Sequence, residues 1–284
     1  MTAWPERVVR TWRDFTQWIS EITLDGTAWH GVFFRGQADW EWSLLSSLAR
    51  ILTTNKVSPE DAAKIEHLMI NEFRYEAYRY LSPTIIPPYN DRGSWLMLMQ
   101  HHRAPTRLLD WTASPYVAAY FAVADSLDKD GAIWCFSVDR LTDAMKTLGR
   151  AWLDDSKDMV VDPADPIAVH TIGFDKKSDR MVLQQGGFTL CNRLMEDYAE
   201  VIPGILMEAF GEMVIPSCCM KVRVPADAKH DFLANLRFAN ITGRSIFEGA
   251  DGVGLSVREY AVAWPAYKRA ANGAKFTMSK EGEA

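Results

Sequence analysis

Three clusters in this 284-residue chain have the residue types and spacing to do chemistry. In "FFRGQADWEW", Phe33 and Phe34 lead directly into Arg35 and Gly36. A guanidinium delivered by a buried strand end grips phosphate or carboxylate through its planar fork. Gly36 then lets a ligand or another backbone come close. The second cluster is "QHHRAPTRLLDWTASPYVAAYFA", Gln100 to Ala122. Here Asp110 and His101 suit proton transfer or stabilisation of a developing cation. Arg107 adds a phosphate-binding charge and Trp111 a stacking surface. Thr112 and Ser114 stand at the start of a helix whose free N–H groups favour an anion. In the third, "LQQGGF", Gln184 and Gln185 offer amides that pair with a ribose or a base. Each cluster also has a plain structural reading. Arg107 and Asp110 can form an ion pair at the core rim, Thr112 or Ser114 can simply cap a helix, and Gln184 to Gly187 can be a strand-to-turn transition.

The elements that must position these groups follow from periodicity. Pro5 to about Ile22 has helical spacing, and "HGVFF" is a short apolar run that ends at Arg35. Helices are expected for "WSLLSSLARIL", for Ser58 to Leu81 with Ser58 as N-cap, for "SWLMLMQHHR" and from Thr112 or Ser114 onward. "TRLLDW", "GAIWCFSVD" and "MKVRVP" read as strands, and "RLTDAMKTLG" and "ADAKHDFLANLRFANI" as helices. In "DRMVLQQGGFTLC", one or two short strands are split by Gly186-Gly187. On strand 106–111, Arg107, Leu109 and Trp111 point one way and Leu108 and Asp110 the other. The acidic stretch Trp152 to Pro166 reads as an exposed loop. Helices and strands mix without a regular βαβ repeat. The expected fold is a single α+β domain with a split or bent mixed sheet surrounded by helices. Its parts are an N-terminal helix (1–28), the main domain (29–269) and a flexible polar tail (270–284).

Composition narrows the function classes. Hydrophobic residues make up 48% and charged residues 24%, with a net charge of −6. That balance argues against a chain held on nucleic acid by bulk charge. Eleven Trp point to a large aromatic core or to stacking surfaces such as Trp40, Trp42 and Trp111. Cys135, Cys191, Cys218 and Cys219 show no CxxC spacing and read as reduced thiols in a cytoplasmic protein. No stretch approaches the roughly 20 apolar residues of a membrane span. His101-His102 has no third ligand at a telling spacing, so no metal is expected. GxGxxG, GxxxxGK[ST], HExxH and GxSxG are all absent.

With these motifs in place, the chain resembles the FRG domain family, named for an aromatic-Arg-Gly motif. Phe34-Arg35-Gly36 matches that motif. "MQHHRAPTRLLDWTASPYVAAYFA" resembles the second signature, and "LQQGGF" the later Q-Q-G-x-F element. The resemblance runs from about Trp29 to Leu255 and implies a bacterial or phage setting. A more distant likeness is to ADP-ribosyltransferases of the arginine–serine–glutamate type. It implies an ADP-ribosyltransferase-like fold, NAD as the substrate molecule, Arg35 on the phosphates and ribose, and Thr112 bracing the pocket. Their late catalytic Glu has no counterpart here. "DRMVLQQGGF" offers only Asp179, Gln184 and Gln185, and Glu248 sits in another context. Three readings follow: a transferase or glycohydrolase acting on NAD, a module that binds a nucleotide or nucleic acid without turnover, and a nuclease using Asp110 and His101.

Overall fold

The computed structural model describes residues 4–24, 31–150, 166–172 and 183–281. Strands Glu6–Val8 (β1), Val32–Gln37 (β2), Leu108–Thr112 (β3), Gly131–Ser137 (β4), Val169–Ile172 (β5), Gly186–Cys191 (β6) and Cys219–Val224 (β7) form one open sheet. Its order is β1-β7-β4-β2-β3-β6-β5. β1 pairs with β7 in parallel, and the other neighbours are antiparallel. The fold is thus α+β with a mixed sheet, as the sequence implies.

Helices cover both faces. Among the described residues the α-helices are Trp12–Leu24 (α1), Ser47–Thr54 (α2), Pro59–Tyr80 (α3), Arg92–His101 (α4), Pro115–Val123 (α5), Val138–Thr147 (α6), Tyr198–Phe210 (α7), Lys229–Phe238 (α8), Gly243–Ile246 (α9) and Gly249–Glu281 (α10). α6 and α7 pack on the face that carries Trp111, Trp134 and Phe136. α1, α5 and α8 pack on the opposite face, against Phe34, Ile133, Cys135 and Val222. The alternation along β4 is therefore Ala132, Trp134 and Phe136 to one side and Ile133 and Cys135 to the other. Both faces are buried, so β4 reads as an unbroken apolar run.

Two expectations about the ends are corrected. Residues 6–8 are a strand, because Glu6, Arg7 and Val8 pair with Lys221, Val222 and Arg223. The first helix starts only at Trp12. There Thr11 Oγ1 accepts from the Asp14 amide at 3.1 Å, and the Asp14 carboxylate accepts from the Thr11 amide at 3.0 Å, a reciprocal cap that fixes the boundary. The 1–28 segment therefore supplies an edge of the same sheet. At the other end α10 continues to Glu281, through most of the segment read as a tail. The acidic stretch up to residue 165, and Asp179, lie outside the described residues.

Three buried charges tie the layers together. Lys229 donates to the carbonyls of Ala38 (2.7 Å), Asp125 (3.0 Å) and Ser126 (2.9 Å). It thereby fastens the exit of β2 to the turn after α5. Glu259 on α10 accepts from Tyr120 Oη (2.9 Å), the Gly243 amide (2.6 Å) and Arg237 (2.5 Å). Glu66 on α3 binds Arg107 and Arg92. Paired and hydrogen-bonded charges of this kind are tolerated inside a fold, whereas unpaired ones are not.

Candidate functional site

The sheet parts in its middle. β2 and β3 share one register pair, Phe34↔Thr112. Beyond it, Arg35, Gly36 and Gln37 pair with β4 alone, and Leu108 to Trp111 pair with β6 alone. The sequence implies a split or bent sheet; the sheet is single, its β2–β3 ladder stops after this pair, and Arg35 stands where it stops. Its Nη1 donates to the Asp110 carbonyl at 2.8 Å and lies 3.8 Å from Asp110 Oδ2. A side-chain bond thus bridges the place where the ladder stops. Arg35 is mostly buried, with 17% of its side chain exposed. Its Nε has no partner, and a buried donor left unmatched is destabilising. Burial pushes Arg35 below its ordinary arginine value, Asp110 opposes that, and Arg50 adds to it. Arg50, exposed on α2, therefore stands in the electrostatic surroundings of the split.

Asp110 faces outward, with 58% of its side chain exposed. It is held on a short relay. Gln100 Nε2 donates to Asp110 Oδ1 at 2.7 Å, and Thr106 Oγ1 donates to Gln100 Oε1. The Thr106 amide in turn donates to Ser47 Oγ at 3.0 Å. α4, the β3 entry and α2 together fix this carboxylate's direction. Gln100 stood in the second cluster without a role, and only its contact with Asp110 assigns one. Thr106 and Arg50 carried no signal in sequence, because their relevance depends on chain segments that meet only in the fold.

The remaining cluster residues join at the closed end of the split. Thr112 Oγ1 donates to the Gln184 carbonyl at 2.7 Å and accepts from the Ser114 amide at 3.0 Å. The Ala113 amide donates to the Gln185 carbonyl at 2.9 Å. Thr112 thus braces the β3 exit against the turn that precedes β6. Ser114, rather than Thr112, caps α5, accepting from the Val117 amide at 3.3 Å. Gln185 is exposed at φ 46°. Gln184 directs its amide to the Ile246 carbonyl at 3.4 Å. β6 begins at Gly186 itself, so the two glycines open the strand and do not divide two strands.

Five assignments are corrected by what the side chains touch. Arg107 is buried and binds Glu66 through Nε (2.7 Å) and Nη2, and the Asn192 carbonyl through Nη1 (3.3 Å). Its fork is fully used inside the fold, so it is not a phosphate ligand. Trp111 is 3% exposed and donates to Thr189 Oγ1 at 2.8 Å, so no base can stack on it. Trp40 is likewise covered, by Lys221 at 3.8 Å and Arg223 at 4.2 Å from its ring centre, while Trp42 is exposed. His101 is one residue beyond Gln100, a turn of 100° around α4, and lies exposed against His102 with ring centres 5.0 Å apart. Gly36 spends its freedom on the scaffold. A Cβ there would sit 1.9 Å from the Ala118 carbonyl oxygen on α5.

Residues 30–131 match the family model of the FRG domain. The chain carries an FRG domain. The matched span runs from β2 to the start of β4, and so takes in Arg35, Gln100, Asp110 and Ser114. Gln184 and Gln185 lie outside it. No curated protein and no solved structure matches the chain. Among the described residues no group of three or more His, Cys, Asp or Glu side chains could hold a metal ion. Among them also, no helix is long and apolar enough to cross a membrane. All four cysteines are free and buried, and burial pushes their thiols up.

Proposed function

We propose that the FRG domain binds the phosphates of NAD or a related nucleotide at the parting of β2 and β3. There it turns NAD over as an ADP-ribosyltransferase-like transferase or glycohydrolase. The observation that carries this reading is Arg35. Its guanidinium is mostly buried, anchored through Nη1, and left with an unpartnered Nε beside an outward-facing carboxylate. Nε itself is sealed from solvent, so a phosphate oxygen would meet the exposed part of the Arg35 side chain. Arg35 and Arg50 against Asp110 leave one net positive charge there, the sign an anion needs.

The chemistry then divides among this chain's residues. The bond from the ribose C1′ to the nicotinamide nitrogen breaks, and its electron pair leaves with nicotinamide. Positive charge develops on the ribose, and the Asp110 carboxylate, held by Gln100, stabilises it. Water or another acceptor adds to C1′ and gives up its proton to Asp110 or solvent. Gln185, exposed beside the closed end, would contact the ribose hydroxyls. Four buried reduced thiols support a cytoplasmic setting, where consuming NAD would serve conflict between bacteria and phage. A second reading, binding without turnover, draws support from β6. That strand carries no carboxylate, and the Gln184 amide is engaged with Ile246.

One experiment separates these readings. The protein is incubated with NAD labelled in the nicotinamide ring, and binding is followed in parallel by calorimetry. Release of nicotinamide is expected, with loss in Arg35→Ala and in Arg35→Lys, which keeps charge but not the fork. Asp110→Asn should retain binding and lose release, with an unchanged melting temperature. Binding without release supports the second reading. No binding of NAD or ADP, or release unchanged in Arg35→Ala, overturns both.

A further inference from the structure

The long helix α10 leaves one face uncovered. Its inward positions Glu259, Val262, Ala263 and Ala266 are buried against the domain. On the outward side, Val253, Val257, Tyr260 and Trp264 are 47%, 64%, 61% and 63% exposed. Their spacing of four, three and four residues is that of a heptad seam. Four large apolar side chains in line on a solvent face are more than the scattered exposure of an ordinary surface. Arg237 lies over one face of Tyr260, 3.8 Å from its ring centre, and holds it in place.

We infer that this stripe is the contact of a homodimer, with α10 packed antiparallel on α10 of a second copy. Size gradation is the first reason. The stripe runs from small (Val253, Val257) to large (Tyr260, Trp264) along the helix. In a parallel pair, large would meet large at one end and small would meet small at the other. In an antiparallel pair Val253 meets Trp264 and Val257 meets Tyr260, so the axes stay evenly spaced. A two-fold contact must be self-complementary in this way. Charge is the second reason. The same register brings Glu248, exposed just before the helix, within one residue of the position opposite the exposed Lys268. Gly254 and Ala261, exposed beside the stripe, are small and uncharged, so two copies approach without like charges meeting. Pro265 lacks the N–H that the Ala261 carbonyl would accept, though the helix runs on through it. The stripe offers on the order of 500 Å² per copy, against roughly 800 Å² per partner in a standard interface. The dimer is therefore weak and concentration-dependent.

Sedimentation equilibrium over a rising concentration series tests this. The weight-average mass of the full chain should climb from one chain toward two. Val257→Glu and Trp264→Glu replace exposed side chains, so they leave folding intact, and each should hold the mass at one chain. Tyr75→Glu, on the exposed side of α3, should associate as the unaltered protein does. The paired substitutions Val257→Cys and Tyr260→Cys in one chain should give a disulfide-linked dimer under oxidation, and Val257→Cys alone should not. A constant single-chain mass overturns the inference. So does association that survives both Glu variants, association that Tyr75→Glu removes, or cross-linking by Val257→Cys alone.

Discussion

Replacing Glu66 decides what Arg107 is for. Glu66 accepts from Arg107 through both carboxylate oxygens and from Arg92 at 2.6 Å. All three side chains are buried or nearly so. Removing the carboxylate leaves two guanidinium groups in the interior with no counter-charge. Breaking a buried ion pair from one side is destabilising by about 3–5 kcal/mol. For a chain of this size that lowers the melting temperature by roughly 6–20 °C. Glu66→Gln, which still offers one acceptor, belongs at the lower end, and Glu66→Ala at the upper. The triple replacement Glu66→Leu, Arg107→Met and Arg92→Met, which removes all three charges, should recover most of the loss. Far-UV circular dichroism on heating, with urea titration at 25 °C, reads all of these. Acid adds a second signature. Burial opposes the Glu66 carboxylate, but Arg107 and Arg92 together outweigh it and hold it below the ordinary glutamate value of 4.5. The unfolded chain then binds the proton first as pH falls. This group's contribution is complete above 4.5 and is lost as pH falls through the folded value, and Glu66→Gln should flatten that part of the acid limb. A loss below about 1 kcal/mol in Glu66→Ala would refute the reasoning. So would Arg107→Met that melts normally yet loses nucleotide binding, since Arg107 would then be a ligand group after all.

Other perturbations are equally direct. Gly36→Ala drives a Cβ into the Ala118 carbonyl oxygen. It should destabilise by about 3 kcal/mol or more, or prevent soluble expression, and a well-folded variant with normal melting would contradict the packing. Tyr120→Phe removes the hydroxyl that donates to Glu259 at 2.9 Å and should lower stability by about 1–3 kcal/mol in urea titration. Burial pushes the Lys229 ammonium down to about 8 from its ordinary 10.5. Between those values the unfolded chain holds the extra proton, so stability should rise with pH across that window, and Lys229→Met should remove the rise.

Much of the scaffold was legible in the sequence because local signals and tertiary demands agreed. Ser58 with Pro59 fixed the start of α3, and Ser58 Oγ does accept from the Asp61 amide at 3.1 Å. "GAIWCFS" is apolar throughout because both of its faces are covered, and it is a strand. The misreadings share one cause. Glu6 to Val8 fit a helical spacing, but β7 lies beside them to pair with, and no local pattern records a partner more than 200 residues away. Arg107 looked like a site residue because it stands three positions from Asp110 in the same cluster, and the carboxylate that claims it sits 41 positions earlier in the chain. Arg35, Asp110 and Gln100 were in view from the start. What the sequence could not show is which of them touch, since that depends on where β2 and β3 separate.

The aromatic-Arg-Gly triplet of this domain is three unrelated requirements in a row. Phe34 fills the core beneath the sheet. Gly36 admits the backbone of α5. Only Arg35, between them, reaches across the parting of β2 and β3 to Asp110. Two of the three letters therefore report a scaffold, and one reports what the scaffold presents. On the proposed reading, a chain with a different middle letter could keep this architecture and lose the group that would meet a phosphate. When such a triplet is used to search for proteins that act alike, its outer letters find the frame. If the proposed function holds, the middle letter, together with an outward-facing Asp held by a glutamine, is what distinguishes a frame that acts on a nucleotide from one that does not.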